Sequence, residues 1–334
     1  MSYKKLSGLY SEDWTNVKLH NDHDAFLAIL QQVNQSSDIR IDILEKDYYV
    51  TLLLKELADK QGELPAYFKG GTALYKALGT IQRFSEDIDL TVRIDDCSNT
   101  QAKRRLERAT QGYQSLVRTE NKELEHNRKG SISCAYDYEP IADYAPDDEL
   151  QRFGHVRVEA TSFTVSEPTG AMEIAPELYN QATDEQQQIL ELQFDVAPFS
   201  IETINVERIF VDKVFAAEFY YERQEYFDVA KHIYDIAVMS QLDTIKKLLG
   251  DTDHLNEMIT YKRQEEDARI GSDLVDKPFN EFVISSGLEE NADLVRAYNR
   301  MQEIYVFGDA YQLEYSVACP ALANTLDAVT RTIG

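Results

Sequence analysis

The stretch 68-FKGGTALYKALGTIQRFSEDIDLTVRI-94 decides how the rest of the chain is interpreted. Polar and apolar residues alternate strictly over 87–94, which predicts a strand that buries one face. Asp87 and Asp89 share its other face, with Cα atoms about 6.6 Å apart at a strand rise of about 3.3 Å per residue. Because like charges at this spacing repel, the pair predicts a compensating cation.

Two glycines stand between a predicted strand and a predicted helix. Segment 66-AYFKGG-71 predicts a short strand that ends in glycines, and 72-TALYKALG-79 predicts a helix with Thr72 as its N-cap. Glycine has no Cβ to block a ligand, so the backbone N–H groups of this turn could bind the phosphates of a nucleotide. The candidate nucleotide-binding residues are Lys69, Gly70, Gly71 and Thr72.

The paired carboxylates suggest a metal and a reaction type. Two carboxylates at this spacing can hold a pair of divalent cations about 3.5 to 4 Å apart, the arrangement used for in-line phosphoryl or nucleotidyl transfer. Oxygen ligands with few histidines nearby favour Mg²⁺ or Mn²⁺ over zinc. Asp87 and Asp89 are therefore candidate catalytic residues and metal ligands.

The composition is that of a globular protein with a strongly acidic surface. Hydrophobic residues make up 43% of the 334 residues, which is enough for a sizeable core. No apolar run approaches the roughly 18 to 20 residues of a membrane-spanning helix. The three cysteines lack metal-ligand spacing and are interpreted as reduced thiols, which predicts a cytoplasmic protein.

The net charge of −25 argues against a broad nucleic-acid footprint, because phosphates need Lys and Arg to displace their counterions. One segment opposes this charge: residues 101–130 hold eight Lys and Arg against four Glu. This segment is either a solvated helix face or the surface that docks a polyanion such as RNA. Its densest cluster, the candidate docking residues, is Lys103, Arg104, Arg105 and Arg108.

The order of predicted elements gives an α/β (α+β) fold with a mixed sheet. After the basic segment, strands are predicted at 131–139, 155–163 and 189–199, and long helical patterns begin at Val206. We therefore divide the chain into a core with N-terminal helices, residues 1–205, and a helical C-terminal lobe, residues 206–334.

The sequence of strand, glycine turn, helix and D-x-D strand resembles the nucleotidyltransferase superfamily typified by DNA polymerase beta. That superfamily's motif is Gly-Ser, a spacer and Asp-x-Asp, and here Gly71-Thr72 stand in place of Gly-Ser, with a longer spacer before Asp87. The chain more closely resembles the AbiEii/AbiGii-type toxins of bacterial toxin–antitoxin and phage-defence systems. Their signature looks like KGGTAL followed by RFSEDIDL, found here at 69–74 and 83–90.

The resemblance implies a polymerase-beta-like core and an enzyme that moves an NMP from an NTP to an acceptor such as tRNA. It also implies a cognate antitoxin protein as a partner. An active-site lysine and aspartate of that family correspond to Lys213 in 207-ERIFVDK-213 and Asp235 in 231-KHIYDI-236. An ammonium at Lys213 would bind the nucleotide and stabilise charge on the phosphates. His232 is interpreted as a core histidine and not as a ligand.

A third acid of the metal site comes from a later strand in that superfamily. Glu159 is the candidate because it is the one acid in its predicted strand, and Asp195 in 189-ILELQFDVAPF-199 is the alternative. Strand alternation predicts that the Glu86 side chain points away from the metals. Two roles stay open for Glu86, a cap or a salt bridge with Arg83. A transferase that modifies a protein or a small molecule, and a binding protein without turnover, are the alternative functions.

Overall fold

The computed structural model describes residues 18–37, 39–79, 81–95, 97–142, 153–162, 168–268, 273–288 and 291–333. Eight strands of these residues form one sheet in the order β3-β5-β6-β2-β1-β8-β7, with β4 also paired to β5. The strands are β1 (Ala66–Lys69), β2 (Ile88–Val92), β3 (Val117–Arg118), β4 (His126–Arg128), β5 (Ser131–Asp137), β6 (His155–Thr161), β7 (Thr169–Ile174) and β8 (Phe199–Ile204).

Helices surround this sheet and make up the described chain after residue 205. They are α1 (His23–Ser37), α2 (Ile41–Gln61), α3 (Gly70–Leu78), α4 (Asn99–Thr110), α5 (Glu177–Asn180), α6 (Asp184–Phe194), α7 (Val206–Glu222), α8 (Tyr226–Met239), α9 (Asp243–Gly250), α10 (Thr252–Ala268), α11 (Ile284–Gly287), α12 (Ala292–Tyr305) and α13 (Tyr315–Ile333). None of them has the length and apolar character that a membrane span requires, within the part of the chain described.

The sheet is mixed, as predicted. Strand β1 pairs antiparallel with β2 and parallel with β8, and β2 pairs parallel with β6. Strands β3, β4 and β6 pair antiparallel with β5, and β7 pairs antiparallel with β8. The predicted α/β (α+β) fold with a mixed sheet is confirmed. The division into domains near residue 205 stays a prediction.

The centre of the sheet has an apolar face and a polar face. Val158 of β6 lies between Ile88 of β2 and Cys134 of β5, and all three are buried. The next residue of β6, Glu159, lies between Asp89 and Ser133 on the opposite face. The alternation read from the sequence therefore separates the hydrophobic core from the acidic side chains.

Helix α4 covers the apolar face. The Tyr136 hydroxyl donates a hydrogen bond to the carbonyl of Thr110, the last residue of α4, and Tyr136 pairs with Val156 on the apolar face. Leu106 and Ala109 of α4 are buried. The basic residues predicted to dock RNA (Lys103, Arg104, Arg105 and Arg108) therefore belong to a helix behind the sheet, opposite the acids.

The strand predicted at 189–199 is wrong. Residues 184–194 form α6, because Thr183 and Gln186 make a reciprocal capping box at its start. Polar and apolar residues alternate in this segment, which is typical of a strand. The caps nevertheless satisfy the free backbone hydrogen-bonding groups at the ends of a helix. The true strand β8 begins at Phe199, and its partner β7 was not predicted.

The start of α3 also differs from its prediction. The strand ends at Lys69, which is the N-cap residue, and the helix begins at Gly70. Gly70 has a φ of 79°, a backbone conformation that lets the chain turn directly after the strand. Thr72 therefore lies inside the first turn of α3, where its hydroxyl donates a hydrogen bond to the carbonyl of Asp87.

The end of α12 is tied to the segment that precedes β2. The Phe84 N–H donates to the carbonyl of Tyr305 over 2.7 Å, and the Phe307 N–H donates to the carbonyl of Gln82 over 3.0 Å. Arg83 and Val306 form an isolated antiparallel bridge between these bonds. The late helices thereby hold the backbone that leads into the acidic strand.

Candidate active site

One row of side chains crosses five strands on the polar face of the sheet. In register, the row runs from Lys69 of β1 through Asp89 of β2, Glu159 of β6 and Ser133 of β5 to His126 of β4. Paired residues on neighbouring strands point to the same side of a sheet, so residues distant in sequence come together. The structure thus brings Lys69, Asp89 and Glu159, all predicted from the sequence, to one place.

This row lies along a cavity of about 640 Å³. Helices α7, α8 and α10 form the wall opposite the sheet. Six of the predicted site residues line the cavity, namely Lys69, Gly70, Gly71, Asp89, Glu159 and Lys213. Further lining residues include His126, Arg128, Lys129, Phe219, Tyr220, His232, Lys262 and Glu265.

The two glycines, Gly70 and Gly71, allow the first turn of α3 (the glycine turn) to approach the acidic strand. A Cβ atom at Gly70 would lie 2.2 Å from Oδ2 of Asp89, closer than any side chain can come. A Cβ atom at Gly71 would lie 2.8 Å from the Ser85 hydroxyl and 3.1 Å from Nη2 of Arg83. The backbone at the start of α3 therefore lies directly against the Asp89 carboxylate of the row.

Asp89 carries an unfavourable charge in this site. Burial raises the pKa of its carboxyl to about 6, and the negative charges of Glu159 and Asp87 add to the rise. Lys69 and Lys213 act against it without cancelling it. The Asp87 carboxylate forms a salt bridge with Arg157 of β6.

Asp235 is held in the opposite electrostatic state. Nε and Nη2 of Arg83 donate to its two carboxylate oxygens over 2.7 and 2.6 Å, and Nζ of Lys213 lies 2.9 Å from Oδ2. Burial acts to raise the pKa of this carboxyl, but the charges of Arg83 and Lys213 outweigh it and hold the pKa well below its usual range. Asp235 is fully buried, so its contact with the cavity is through Lys213.

The remaining predicted residues lie elsewhere. Asp195 follows α6 in a left-handed conformation, and its carboxylate contacts Nζ of Lys55 at 3.0 Å and Nζ of Lys18 at 3.5 Å, outside the cavity of the acidic row. Oε1 of Glu86 accepts a hydrogen bond from the Tyr305 hydroxyl at 2.9 Å. Arg83, the partner considered for Glu86, pairs with Asp235.

The carboxylates have the chemistry of a divalent-cation site. Asp89 and Glu159 are register partners, and Asp87 is close enough to raise the pKa of Asp89. Carboxylate oxygens are the ligands that Mg²⁺ and Mn²⁺ prefer. Among the described residues, no three His, Cys, Asp or Glu side chains are already gathered tightly enough to hold a metal ion. The metal ligands Asp87, Asp89 and Glu159 stay a prediction.

Sequence reasoning missed the far end of the row and part of the helical wall. His126, Arg128 and Lys129 belong to a hairpin whose turn is Lys129-Gly130, whereas the sequence analysis considered 101–130 mainly as a helix. Alternating residues on both sides of a two-residue turn with glycine were the available signal. His232 lines the cavity and stacks on Tyr220 with ring centroids 5.5 Å apart. Burial lowers the pKa of His232 well below its usual value, so the ring is neutral.

Comparison with known families agrees with the geometry. A family model described as "Nucleotidyl transferase AbiEii toxin, Type IV TA system" matches residues 52–306, which include the glycine turn, the acidic row, Lys213 and Asp235. No curated protein matches the chain. The predicted family and the predicted enzyme class, a nucleotidyltransferase, are confirmed, and this family implies a nucleotide substrate and an antitoxin partner. The chain belongs to the AbiEii family of nucleotidyltransferase toxins from type IV toxin–antitoxin systems.

Proposed function

We propose that the cavity is the catalytic site of a metal-dependent nucleotidyltransferase that moves an NMP from an NTP to an RNA acceptor such as tRNA. The observation that carries this proposal is the contact between the glycine turn and Asp89. The backbone of Gly70 and Gly71, which we propose to bind phosphates, lies beside the acidic row, and Lys69 and Lys213 line the same cavity.

The triphosphate would bind at the β1 side of the row. The N-terminus of α3 offers backbone N–H groups at Gly70, Gly71 and Thr72, and a helix N-terminus attracts anions. Lys69 and Lys213 add two ammonium groups, and burial lowers the pKa of both. An arriving phosphate would favour their charged forms, so binding of the substrate and charging of the lysines support each other. The Thr72 hydroxyl serves the fold, because it holds the carbonyl of Asp87.

Asp87, Asp89 and Glu159 would hold Mg²⁺ or Mn²⁺. A divalent cation neutralises the charge that develops on the phosphoryl oxygens during transfer. Its binding would also relieve the repulsion that raises the pKa of Asp89. Arg157 is the present partner of Asp87, so we expect Asp87 to exchange this salt bridge for the cation when the substrate binds.

In the proposed reaction, a hydroxyl oxygen of the acceptor forms a bond to the α-phosphorus. The bond from that phosphorus to the bridging oxygen breaks, and pyrophosphate leaves with the electron pair. The hydroxyl proton passes to a carboxylate, for which Glu159 is placed on the side of Asp89 away from Lys69. Lys213 stabilises the charge on the leaving phosphates, and Asp235 with Arg83 fixes the position of Lys213.

The biological role follows from the family. We propose that transfer to tRNA in the cytoplasm makes the chain a toxin of a toxin–antitoxin or phage-defence system, which its antitoxin neutralises. A protein or a small molecule is the second candidate acceptor, and the net charge of −25 favours it, since a polyanion is repelled by most of this surface.

The test supplies each α-labelled NTP with Mg²⁺ to the protein in the presence of RNA and protein from a cell extract. We expect label on RNA from at least one NTP, and none after the metal is chelated. Asp89→Asn should abolish transfer, whereas Asp195→Asn, the same change outside the cavity, should keep it. Transfer that survives chelation, or equal transfer by the two variants, would refute the proposed site.

A further inference from the structure

We propose that the β4–β5 hairpin is the edge of the active site that binds RNA, with Arg128 and Lys129 contacting backbone phosphates of the acceptor's single-stranded end. This inference rests on the proposed function, because it takes RNA as the acceptor. It moves the docking surface from α4 to the other end of the same basic segment.

The register of the sheet places this hairpin on the acidic face. Arg128 of β4 pairs with Ser131 of β5, Ser131 pairs with Thr161 of β6, and Thr161 pairs with Thr91 of β2. This row is the neighbour of the row through Asp89 and lies on the same face. Arg128 and Lys129 line the cavity, whereas the basic residues of α4 do not.

The chemistry assigns this end of the cavity to the acceptor. The triphosphate is proposed to bind beside Lys69, at one end of the row, and His126 of the hairpin is at the other end. Three strand spacings of about 4.8 Å separate His126 from Asp89, or about 14 Å. In-line transfer requires the attacking hydroxyl to approach opposite the leaving pyrophosphate. The acceptor therefore reaches Asp89 from the side of Glu159, past the hairpin.

The two cations of the hairpin are available for a partner. Arg128 and Lys129 are exposed, and neither forms an ion pair with any of the residues that the structure describes. The nearby carboxylate of Glu125 is occupied by Arg118 at 2.7 Å. On α4, by contrast, Lys103 lies 3.7 Å from a carboxylate oxygen of Glu107. Since RNA binding gains from cations that displace counterions, unpaired charges at the cavity are the better ligands.

The backbone that carries these two cations is tied to the sheet. The N–H of Ser162 donates to the carbonyl of Gly130 over 2.9 Å, which ties the turn to the end of β6. Nε2 of His126 lies 2.8 Å from the Ser131 hydroxyl across the hairpin. Gly130 has a φ of 77°, which suits the turn. The single-stranded end of an RNA bound here would be presented to the carboxylates of Asp89 and Glu159 in a defined position.

The test compares two double charge reversals. Arg128→Glu with Lys129→Glu changes the hairpin, and Lys103→Glu with Arg104→Glu changes α4 by the same net charge. We expect the hairpin variant to bind single-stranded RNA at least 10-fold more weakly in 100 mM salt, measured without NTP. Losing two phosphate contacts should also flatten the salt dependence of log K by about 1.4. The α4 variant should stay within twofold of the wild type in RNA binding.

Binding of a fluorescent NTP with Mg²⁺ separates the two phosphate ligands. We expect both variants to bind the NTP within twofold of the wild type. Weaker NTP binding by the hairpin variant would instead assign Arg128 and Lys129 to the triphosphate. Equal loss of RNA binding in both variants, or loss confined to the α4 variant, would also refute the proposal. If the Glu variant unfolds early in a thermal scan, the milder Arg128→Gln with Lys129→Gln replaces it.

The outcomes for the two proposals are distinguishable. If the wild type labels a protein and does not bind RNA, nucleotidyl transfer stands and the hairpin proposal is wrong. If the hairpin binds RNA and no label is transferred to any acceptor, the hairpin proposal stands and the proposed catalytic function is wrong.

Discussion

Asp235 is fully buried and Asp89 is partly buried, both lie near Lys213, and the protein compensates their two charges to very different degrees. Asp235 receives two hydrogen bonds from Arg83 and contacts Lys213, so its pKa is held well below the usual range. Burial and the charges of Glu159 and Asp87 raise the pKa of Asp89 to about 6. The charge of Asp235 is compensated by Arg83 and Lys213, whereas Lys69 and Lys213 compensate the charge of Asp89 only in part.

This difference in charge compensation predicts that the cluster around Asp235 stabilises the fold and that the acidic row around Asp89 does not. The cluster of Arg83, Asp235 and Lys213 connects the segment before β2 with helices α7 and α8, so it fixes the position of the Lys213 ammonium. The acidic row does the reverse, since crowded carboxylates weaken the folded state. Substitutions at the two aspartates should therefore have opposite effects on stability.

The largest effect is expected from Asp235→Asn. Removing one partner of a buried ion pair leaves the charges of Arg83 and Lys213 uncompensated, which costs about 3 to 5 kcal/mol of unfolding free energy. Urea unfolding followed by circular dichroism measures this loss. Lys213→Ala is the control, because Asp235 keeps both hydrogen bonds from Arg83 and the loss should be smaller. Equal stability of Asp235→Asn and the wild type would contradict the structural role of this cluster.

The next effect concerns Lys213 in catalysis. Lys213→Ala should lower the turnover number about 100- to 1000-fold, since a positioned charge at the transition state is lost. Lys213→Arg should restore only part of the rate, because a planar guanidinium cannot replace a compact ammonium. Single-turnover transfer from a labelled NTP measures both. A rate for Lys213→Ala equal to that of the wild type would show that this lysine is structural.

The smallest effect is the pH dependence of stability at Asp89. Its pKa is 3.8 as a reference value and about 6 in the folded protein, so the folded state retains a proton that the unfolded state releases. Unfolding free energy should therefore fall as pH rises from about 4 to about 6. About two pKa units at 1.4 kcal/mol each limit the cost to roughly 3 kcal/mol.

Asp89→Asn removes this cost and sharpens the comparison with Asp235. In metal-free buffer the variant should be more stable than the wild type by roughly 1 to 3 kcal/mol at pH 8 and equally stable below pH 4. Thermal and urea unfolding across this pH range test the prediction. A variant less stable than the wild type at pH 8 would mean that the carboxylate charge of Asp89 is already compensated.

Much of this site could be predicted from the sequence, because local patterns determine it. The alternation around Asp87 and Asp89 and the glycines at 70 and 71 describe neighbouring elements, and both patterns survive in the structure. Glu159 was predicted because it is the one acid of its strand. This criterion is sufficient when the strand and the face on which the acid lies are predicted correctly. Family resemblance supplied Lys213 and Asp235, which no local pattern distinguishes from other helix residues.

The predictions that failed or were missed depend on interactions that the pattern of polar and apolar residues does not show. Segment 189–199 alternates like a strand, but the capping box of Thr183 and Gln186 starts a helix, and Asp195 ends beside Lys55. Asp235 required the long-range contact with Arg83 before its positioning role could be seen. The position of the basic hairpin could not be predicted, because the pairing of β4, β5 and β6 determines on which face of the sheet its cations lie.

The ties between α12 and the segment before β2 have a consequence for the synthesis of this toxin. The Phe84 N–H donates to Tyr305 and the Gln82 carbonyl accepts from Phe307, and both partners lie more than 200 positions further along the chain. A nascent chain still on the ribosome carries the acidic row long before the helix that holds it. Strand β2 is then without this support, so we expect the enzyme to become competent only near the end of translation.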